Sequence, residues 1–440
     1  MFNRTAMIVL LLASSPLFAQ QPPTPPTPAP TVDEKVLALF KAQKFDEAYK
    51  ELQAAAKANP KSAPPRVTLS NLFFQAREGA AARSQLELAA AEDPKHPEVY
   101  LLNASYAFGE GRLTDTIMSC QVALQLSTDP KWDPDQRKRY TREARIGLAA
   151  AFEARRDWNS AKENLSAVLV DDPKNGSTRQ RLGTVIFFLG RPEDAFSEFQ
   201  TASKDDPASD LPELRMSALY GGQNDSAKAE DWLKKAVATY PNDAKTHRAY
   251  ASFLLDAGNS DAALLYVESS TKLDQNNPET IALRGLLARY RKDLATAETI
   301  FDALNRDRPG ATFAAWNLAL VLAETNNKEK HRRAIEIAEA EVRKNQKSAE
   351  GFAILGWCYY KAGRLDDAEK AIVAATQAGA VSRDAAYFLA RILTDKQRFE
   401  DAHKVLKGAA DARGGYVYKA EAAALLKEIE PKLPKKEEKK

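Results

Sequence analysis

The sequence predicts an all-α protein built from stacked antiparallel helix pairs. Three observations carry this. Residues 349–380 read as two helical segments parted by Gly363. Leu355, Gly356 and Tyr359 fall on one side of the first segment, and Ala368, Ile372 and Ala375 line one face of the second, at the spacings of four and three that an α-helix brings together. The pattern then recurs along the chain. The small-residue position of the first segment is filled by Val36, Ser70, Ala104, Ala149, Gly183, Ser217, Ala251, Gly285, Ala319, Gly356 and Ala390. Eight of these ten steps are 34 residues; the step from 104 to 149 is 45 and that from 319 to 356 is 37. The matching position of the second segment holds Ala48, Ala82, Thr116, Ala161, Ala195, Ala229, Ala263, Ala297, Ala334, Ala368 and Ala402, alanine in every case but one. Finally, Pro60, Pro94, Pro173, Pro207, Pro241 and Pro309 close units where a helix must stop.

In chain order, residues 1–19 read as a secretory signal. Arg4 supplies the positive start, and residues 6–13 (AMIVLLLA) form an apolar core too short to span a bilayer comfortably. Ser14, Ser15 and Pro16 break that core, and cleavage falls after Ala19. An uncleaved N-terminal anchor is the alternative. With no cysteine nearby, a lipoprotein anchor is not supported. Residues 20–31 (QQPPTPPTPAPT) are a Pro/Thr-rich linker, extended and coreless, a spacer or else a ligand for a PxxP-reading domain. The helical array occupies 32–430, and the charged tail 431–440 reads as disordered.

Eleven units begin near residues 29, 63, 97, 142, 176, 210, 244, 278, 312, 349 and 383. The first opens on Asp33 and Glu34, favourable charges for a helix start. Between units three and four lies an insertion, KWDPDQRKRYT, in which Asp133 and Pro134 make an N-cap and first helical residue. The first helix of unit four therefore runs from Pro134 to about Arg156. Its overhang brings Trp132, Arg137, Lys138, Arg139 and Tyr140 together, either as a basic and aromatic docking point or as a solvated extension with Trp132 packed on a neighbour. Unit nine carries three extra residues within 326–333, expected as a lengthened, charged turn. Residues 416–430 are expected as a last helix whose Leu425, Leu426 and Ile429 cover the open end of the stack.

Composition argues against several function classes. Lys and Arg number 63 against 60 Asp and Glu, so no global field points to nucleic acid or an anionic membrane. His96, His247, His331 and His403 fall in four different units without a metal-ligand neighbour at helical spacing. No serine has nucleophile-elbow glycines, and the glycines sit at turns and helix crossings rather than in a phosphate loop. The acidic pairs at 171–172 and 205–206 belong to the turns. Cys120 and Cys358, in the third and tenth units, read as packing thiols. The expectation is a non-enzyme without cofactor or metal.

The repeat resembles the tetratricopeptide repeat (TPR), whose period is 34 residues, over about 29–430. The resemblance implies a right-handed superhelical solenoid of about eleven helix pairs plus a C-terminal capping helix. It also implies an inner wall, formed by positions 2, 5, 9, 12 and 13 of each unit, that binds peptides or partner domains. The lysine and asparagine clamp of chaperone-tail-binding relatives is not supported. Among fifth positions only Arg248 is basic, and the ninth positions offer only Asn71. The asparagine ladder of TPR glycosyltransferases is represented at the sixth position by Asn317 alone. Twelfth positions Phe40, Phe74, Phe108, Glu153 and Phe187 suggest an aromatic stripe for an extended peptide, with Trp316, Trp357, Tyr360 and Tyr387 a second zone. The competing reading is that these rings pack on the next helix. The function expected is a protein-binding scaffold that is exported, periplasmic or secreted, with no nucleic-acid partner and no membrane segment in the mature chain. The alternative is a structural component of an envelope machine for polysaccharide export or outer-membrane complex assembly.

Overall fold

Small residues decide how closely the helices cross, and the computed structural model shows where. It describes residues 33–59, 61–207, 209–409 and 416–433. The expected signal, the linker, Pro60 and residues 434–440 of the tail lie outside the described residues. These form 23 α-helices and one short 3-10 turn, with no strand among them.

The chain divides into two units, the first being Gln21–Leu219. It pairs α1 (Glu34–Lys41) with α2 (Phe45–Ala58), α3 (Pro65–Gln75) with α4 (Gly79–Glu92), and α5 (Pro97–Gly109) with α6 (Leu113–Leu126). Next come α7 (Pro134–Arg155) with α8 (Trp158–Asp171), and α9 (Gly176–Phe188) with α10 (Pro192–Asp205). The division falls within α11 (Pro212–Gly222). The C-terminal unit continues with α12 (Ser226–Thr239), then pairs α13 (Ala244–Asp256) with α14 (Ser260–Leu273), and α15 (Pro278–Tyr290) with α16 (Leu294–Asp307). It ends with α17 (Thr312–Ala323) and α18 (Lys328–Lys344), α19 (Ala349–Lys361) and α20 (Leu365–Ala378), α21 (Arg383–Asp395) and α22 (Phe399–Gly408), and a last helix α23 (Lys419–Ile429). Within each unit, helices pack on their sequence neighbours, and consecutive first helices such as α17, α19 and α21 also touch.

The alanines of the second helices are buried to the last few per cent. Thr116 fits the same position because its hydroxyl donates to the Arg112 carbonyl at 3.1 Å, satisfying the one polar atom that alanine lacks. In ten of the eleven pairs the turn between helices passes through one left-handed residue: Gln43, Arg77, Gly111, Arg156, Gly190, Asn224, Gly258, Lys292, Gly363 and Gln397. That conformation ends the first helix and reverses the chain.

The ninth pair is the exception, and it corrects the expectation of a longer turn. Residues 328–333 are helical, and α18 has 17 residues against the usual 14. Asn327 caps it by accepting from the Glu329 and Lys330 amides, and Arg332 pairs with Glu336 one turn on. Good helix formers behind a strong cap turn the insertion into an extra helical turn.

The extended α7 has 22 residues and begins with a capping box between Asp133 and Gln136. At the C-terminus a second expectation is corrected. The last helix starts only at Lys419; residues 416–418 precede it as a non-helical segment. Their backbone and side chains find partners elsewhere, as described below. Leu425 and Ile429 are buried with Leu393, Ala402 and Leu406, so α23 covers the apolar face of the last pair, and Leu426 packs at its edge.

Candidate functional site

The inner-wall positions define two candidate surfaces, one in each unit. In the N-terminal unit, Phe74 is 50% exposed and stacks at 4.5 Å on Tyr106. Tyr106 is itself buried. Its hydroxyl donates to Ser70 Oγ, which donates in turn to the Ala82 carbonyl at 2.6 Å; burial pushes that phenol up to about 12. Phe74 thus sits on a rigid, hydrogen-bonded platform with one face open. Further along, Phe188 lies open at position 13, stacked at 4.6 Å on Trp158. The other stripe residues are placed differently. Phe40 packs against Phe45 and Phe73, Phe108 is half-buried, and Phe187 is buried at 5% exposure. Glu153 interrupts the row and is held by Arg181 at 3.0 Å. Burial pushes its carboxyl up, with Arg181 pulling back.

The α7 overhang separates into a buried part and an exposed part. Trp132 and Tyr140 are buried and meet edge-to-face at 5.3 Å beside His96. Arg139 pairs with the buried Glu98. Arg137 and Lys138 remain exposed. Burial pushes His96 down to about 4, so it is neutral at pH 7 and accepts from the Glu98 amide through Nδ1. Burial likewise raises Glu98, and lifts Glu143 to about 7 with the Glu98 charge adding to it.

In the C-terminal unit residues at the expected inner-wall positions contact residues 416–418 of the chain itself. Tyr418 lies among Tyr387 (5.2 Å, near-parallel), Phe388 (5.1 Å) and Trp357 (5.9 Å). Its hydroxyl donates to Glu324 Oε1 at 2.7 Å and its amide to Asp384 Oδ1 at 3.1 Å. The Tyr416 amide donates to the Tyr290 hydroxyl at 2.8 Å. Glu324 also accepts from Trp357 Nε1 at 2.8 Å and from Lys361 at 3.1 Å. Burial alone would raise this carboxyl, but those donors outweigh it and hold it below its usual range. Beneath lies a buried pair, Arg289 with Asp384 at 3.4 Å, and Arg289 also donates to Asn317 at 2.9 Å. Burial lifts Asp384 to about 6, with Arg289 and backbone amides pulling it back. Arg383 reaches from α21 to the Asp256 carbonyl of α13 at 2.7 Å. Of the second zone, Trp357 and Tyr387 touch Tyr418 directly. Tyr360 stacks on Trp357 and bonds Asp395, and Trp316 lies half-buried beside Gly351.

Sequence reasoning missed Arg289, Tyr290, Glu324, Asp384 and Tyr418. A signal existed: the first four occupy inner-wall positions 12, 13, 13 and 2, where a charge or phenol needs a partner. Among the described residues no group of three His, Cys, Asp or Glu side chains is placed to hold a metal ion, and no helix is long and apolar enough to cross a membrane. Cys120 and Cys358 are buried free thiols.

Two tetratricopeptide-repeat family models match the sequence, one over residues 39–106 and one over 327–380 and 355–417. No curated protein matches it. Solved structures that match the chain include yeast Tom70, at 15% identity over 91% of this chain and 95% of that one, with a TM-score of 0.35. The Cut9–Hcn1 hetero-tetramer of the APC/C gives 13% identity over 90% and 82%, with a TM-score of 0.41. A TPR protein from Parabacteroides merdae gives 16% over 66% and 98%, with a TM-score of 0.36.

Proposed function

We propose that this chain of stacked TPR helix pairs is a non-enzymatic protein-interaction scaffold of the cell envelope. In this reading the inner wall of its N-terminal unit holds an extended segment of a partner protein. The observation that carries it is Phe74, half exposed on the buried Tyr106 platform. A large ring left open on a rigid support is the kind of anchor that dominates a binding surface. The envelope assignment rests on the signal-like residues 1–19.

The reading is tested with a photo-crosslinking amino acid placed in cells at position 74 and, as a control, at the exposed Val170 of α8. A discrete protein adduct is expected at 74 and none at 170. Equal labelling at both positions counts against an inner-wall site. Cell fractionation tests the location: the expected product lacks residues 1–19 and appears outside the cytoplasm, and an uncleaved cytoplasmic product removes the envelope assignment. A structural component of an envelope machine would instead co-fractionate with membranes in fixed stoichiometry with its neighbours.

A further inference from the structure

The segment at 416–419 is bound as a ligand would be. Its amides go to side chains of other helices, Tyr290 and Asp384, and not to a neighbouring turn or strand. Its second ring enters an aromatic box of Trp357, Tyr387 and Phe388, and its hydroxyl meets a carboxylate already aimed by Trp357 and Lys361. Cations flank both rings: Arg383 lies 4.8 Å from the centre of Tyr416, and Lys292 lies 4.4 Å from that of Tyr418. Six residues in or directly beneath this cluster fall at inner-wall positions of four successive repeats. Asp384 is at position 2, Tyr387 at 5, Trp357 at 9, Arg289 at 12, and Tyr290 and Glu324 at 13. A surface spread over four repeats, with a phenol and two carboxylates meeting two amides and one hydroxyl of a three-residue motif, exceeds what closing the end of the stack requires. That task belongs to α23.

We propose that the inner wall of the C-terminal unit is a second peptide site, specific for a Tyr–aliphatic–Tyr segment in a turn conformation, and that residues 416–419 occupy it as a built-in competitor. The occupant in trans is a segment of another protein with that triplet. Specificity comes from the box, which takes a ring, and from Glu324, which rewards a phenol over a phenyl. Asp384 and Tyr290 fix the backbone register. A tethered ligand competes at an effective concentration of about millimolar. The apparent affinity for a free peptide therefore falls in proportion to the fraction of open wall. The chain admits only segments that bind better than its own, or binds freely once that segment is released.

The test uses the full chain and a fluorescent peptide of sequence 416–424. Wild type is expected to bind it weakly, and Tyr418→Ala to bind it at least tenfold more tightly, because the competitor is lost while the wall is intact. A peptide with both tyrosines changed to alanine should bind neither. Equal binding to both proteins, or no binding to a folded Tyr418→Ala chain, overturns the proposal. Hydrogen exchange on wild type decides independently of that variant's folding. Amides 416 and 418 should exchange by a local opening, faster than the amides of α17 and α21; exchange only with unfolding of the whole unit makes the segment core and overturns the proposal. Dimers that form through exchange of this segment would make a second copy the occupant and overturn the stated partner. A Phe74→Ala variant should leave peptide binding unchanged, which separates this site from the one in the N-terminal unit.

Discussion

Gly183 lies so close beneath Phe199 that a Cβ there would stand 2.6 Å from the ring, and Phe199 is fully buried. The contact is where α9 and α10 cross, and the same relation recurs between Gly285 and Phe301. A rigid buried ring cannot step aside cheaply. Gly183→Ala is therefore expected to destabilise by about 1–3 kcal/mol, less the few tenths to 1 kcal/mol that alanine returns in helix propensity. Chemical denaturation measures this; an unchanged or raised midpoint would mean that the crossing has slack.

Arg77 should behave in the opposite way. Its φ of 63° places an exposed L-residue in the left-handed region at the turn after α3. Gly111, Gly190, Gly258 and Gly363 fill the same position without strain. Replacing Arg77 by glycine removes a cost of roughly 1–2 kcal/mol and adds unfolded-state entropy of about 0.5–1 kcal/mol. The expected net is a stabilisation of about 0–1.5 kcal/mol, read as a small rise in Tm.

Phe74 and Phe187 share a position in the repeat and differ in burial, which separates anchor from core. Phe187→Ala is expected to cost about 3–5 kcal/mol, as for other buried rings. Phe74→Ala should cost well under half of that and weaken capture of the partner. Thermal unfolding reads the first effect, and co-purification of the protein that crosslinks at position 74 reads the second. Equal losses of stability would make Phe74 a packing residue and withdraw the N-terminal site.

The fold was legible because its information is local and repeated. Alanine at one position, a turn residue at another and proline at the end each fix a boundary, and 34-residue steps confirm them. The extra turn of α18 was missed because 326–333 is strongly charged, which reads as loop, although Asn327 and the following helix formers favour helix. Residues 416–418 were read as helix because their partners, Tyr290, Glu324 and Asp384, lie 126, 94 and 34 positions away. Repeat position marks those residues as needing a partner, but local spacing does not say which segment supplies it. The aromatic stripe was legible as residue type but not as burial: Phe187 and Phe74 are the same letter at the same register.

Within the α7 overhang the cations divide in the same way. Arg137 and Lys138 are exposed, so changing both to Gln should shift stability by no more than about 0.5 kcal/mol. Arg139 neutralises Glu98, which is 6% exposed. Arg139→Gln strands that carboxylate and is expected to cost on the order of 1–3 kcal/mol at pH 7. Urea titration of the two variants compares them directly, and equal midpoints would show that Glu98 is solvated or already protonated.

Acidification should strengthen the C-terminal unit over the range in which most proteins begin to weaken. Asp384 is buried, and burial lifts it to about 6 against an ordinary 3.8, despite the pull of Arg289 and the backbone amides. Asp256 moves in the same direction, by desolvation first and through the Asp384 charge, with Arg383 opposing. A carboxyl whose folded pKa lies above its unfolded one binds more protons in the native state between the two values. Stability therefore rises as pH falls from about 7 towards 4. A shift of about 2 units at Asp384 corresponds to about 3 kcal/mol at most. Glu324 works the other way: its carboxyl is held low, so its contribution is intact above its ordinary 4.5 and is lost only below that. The clean window is pH 7 to 5. Asp384→Asn keeps an acceptor for the Tyr418 amide and removes the titration. The stability of wild type relative to this variant should grow by about 1–1.5 kcal/mol between pH 7 and 5, measured by urea midpoints of the full chain with a probe at Trp357. A difference that shrinks on acidification would mean that the Arg289 pair dominates and that Asp384 titrates below its ordinary range.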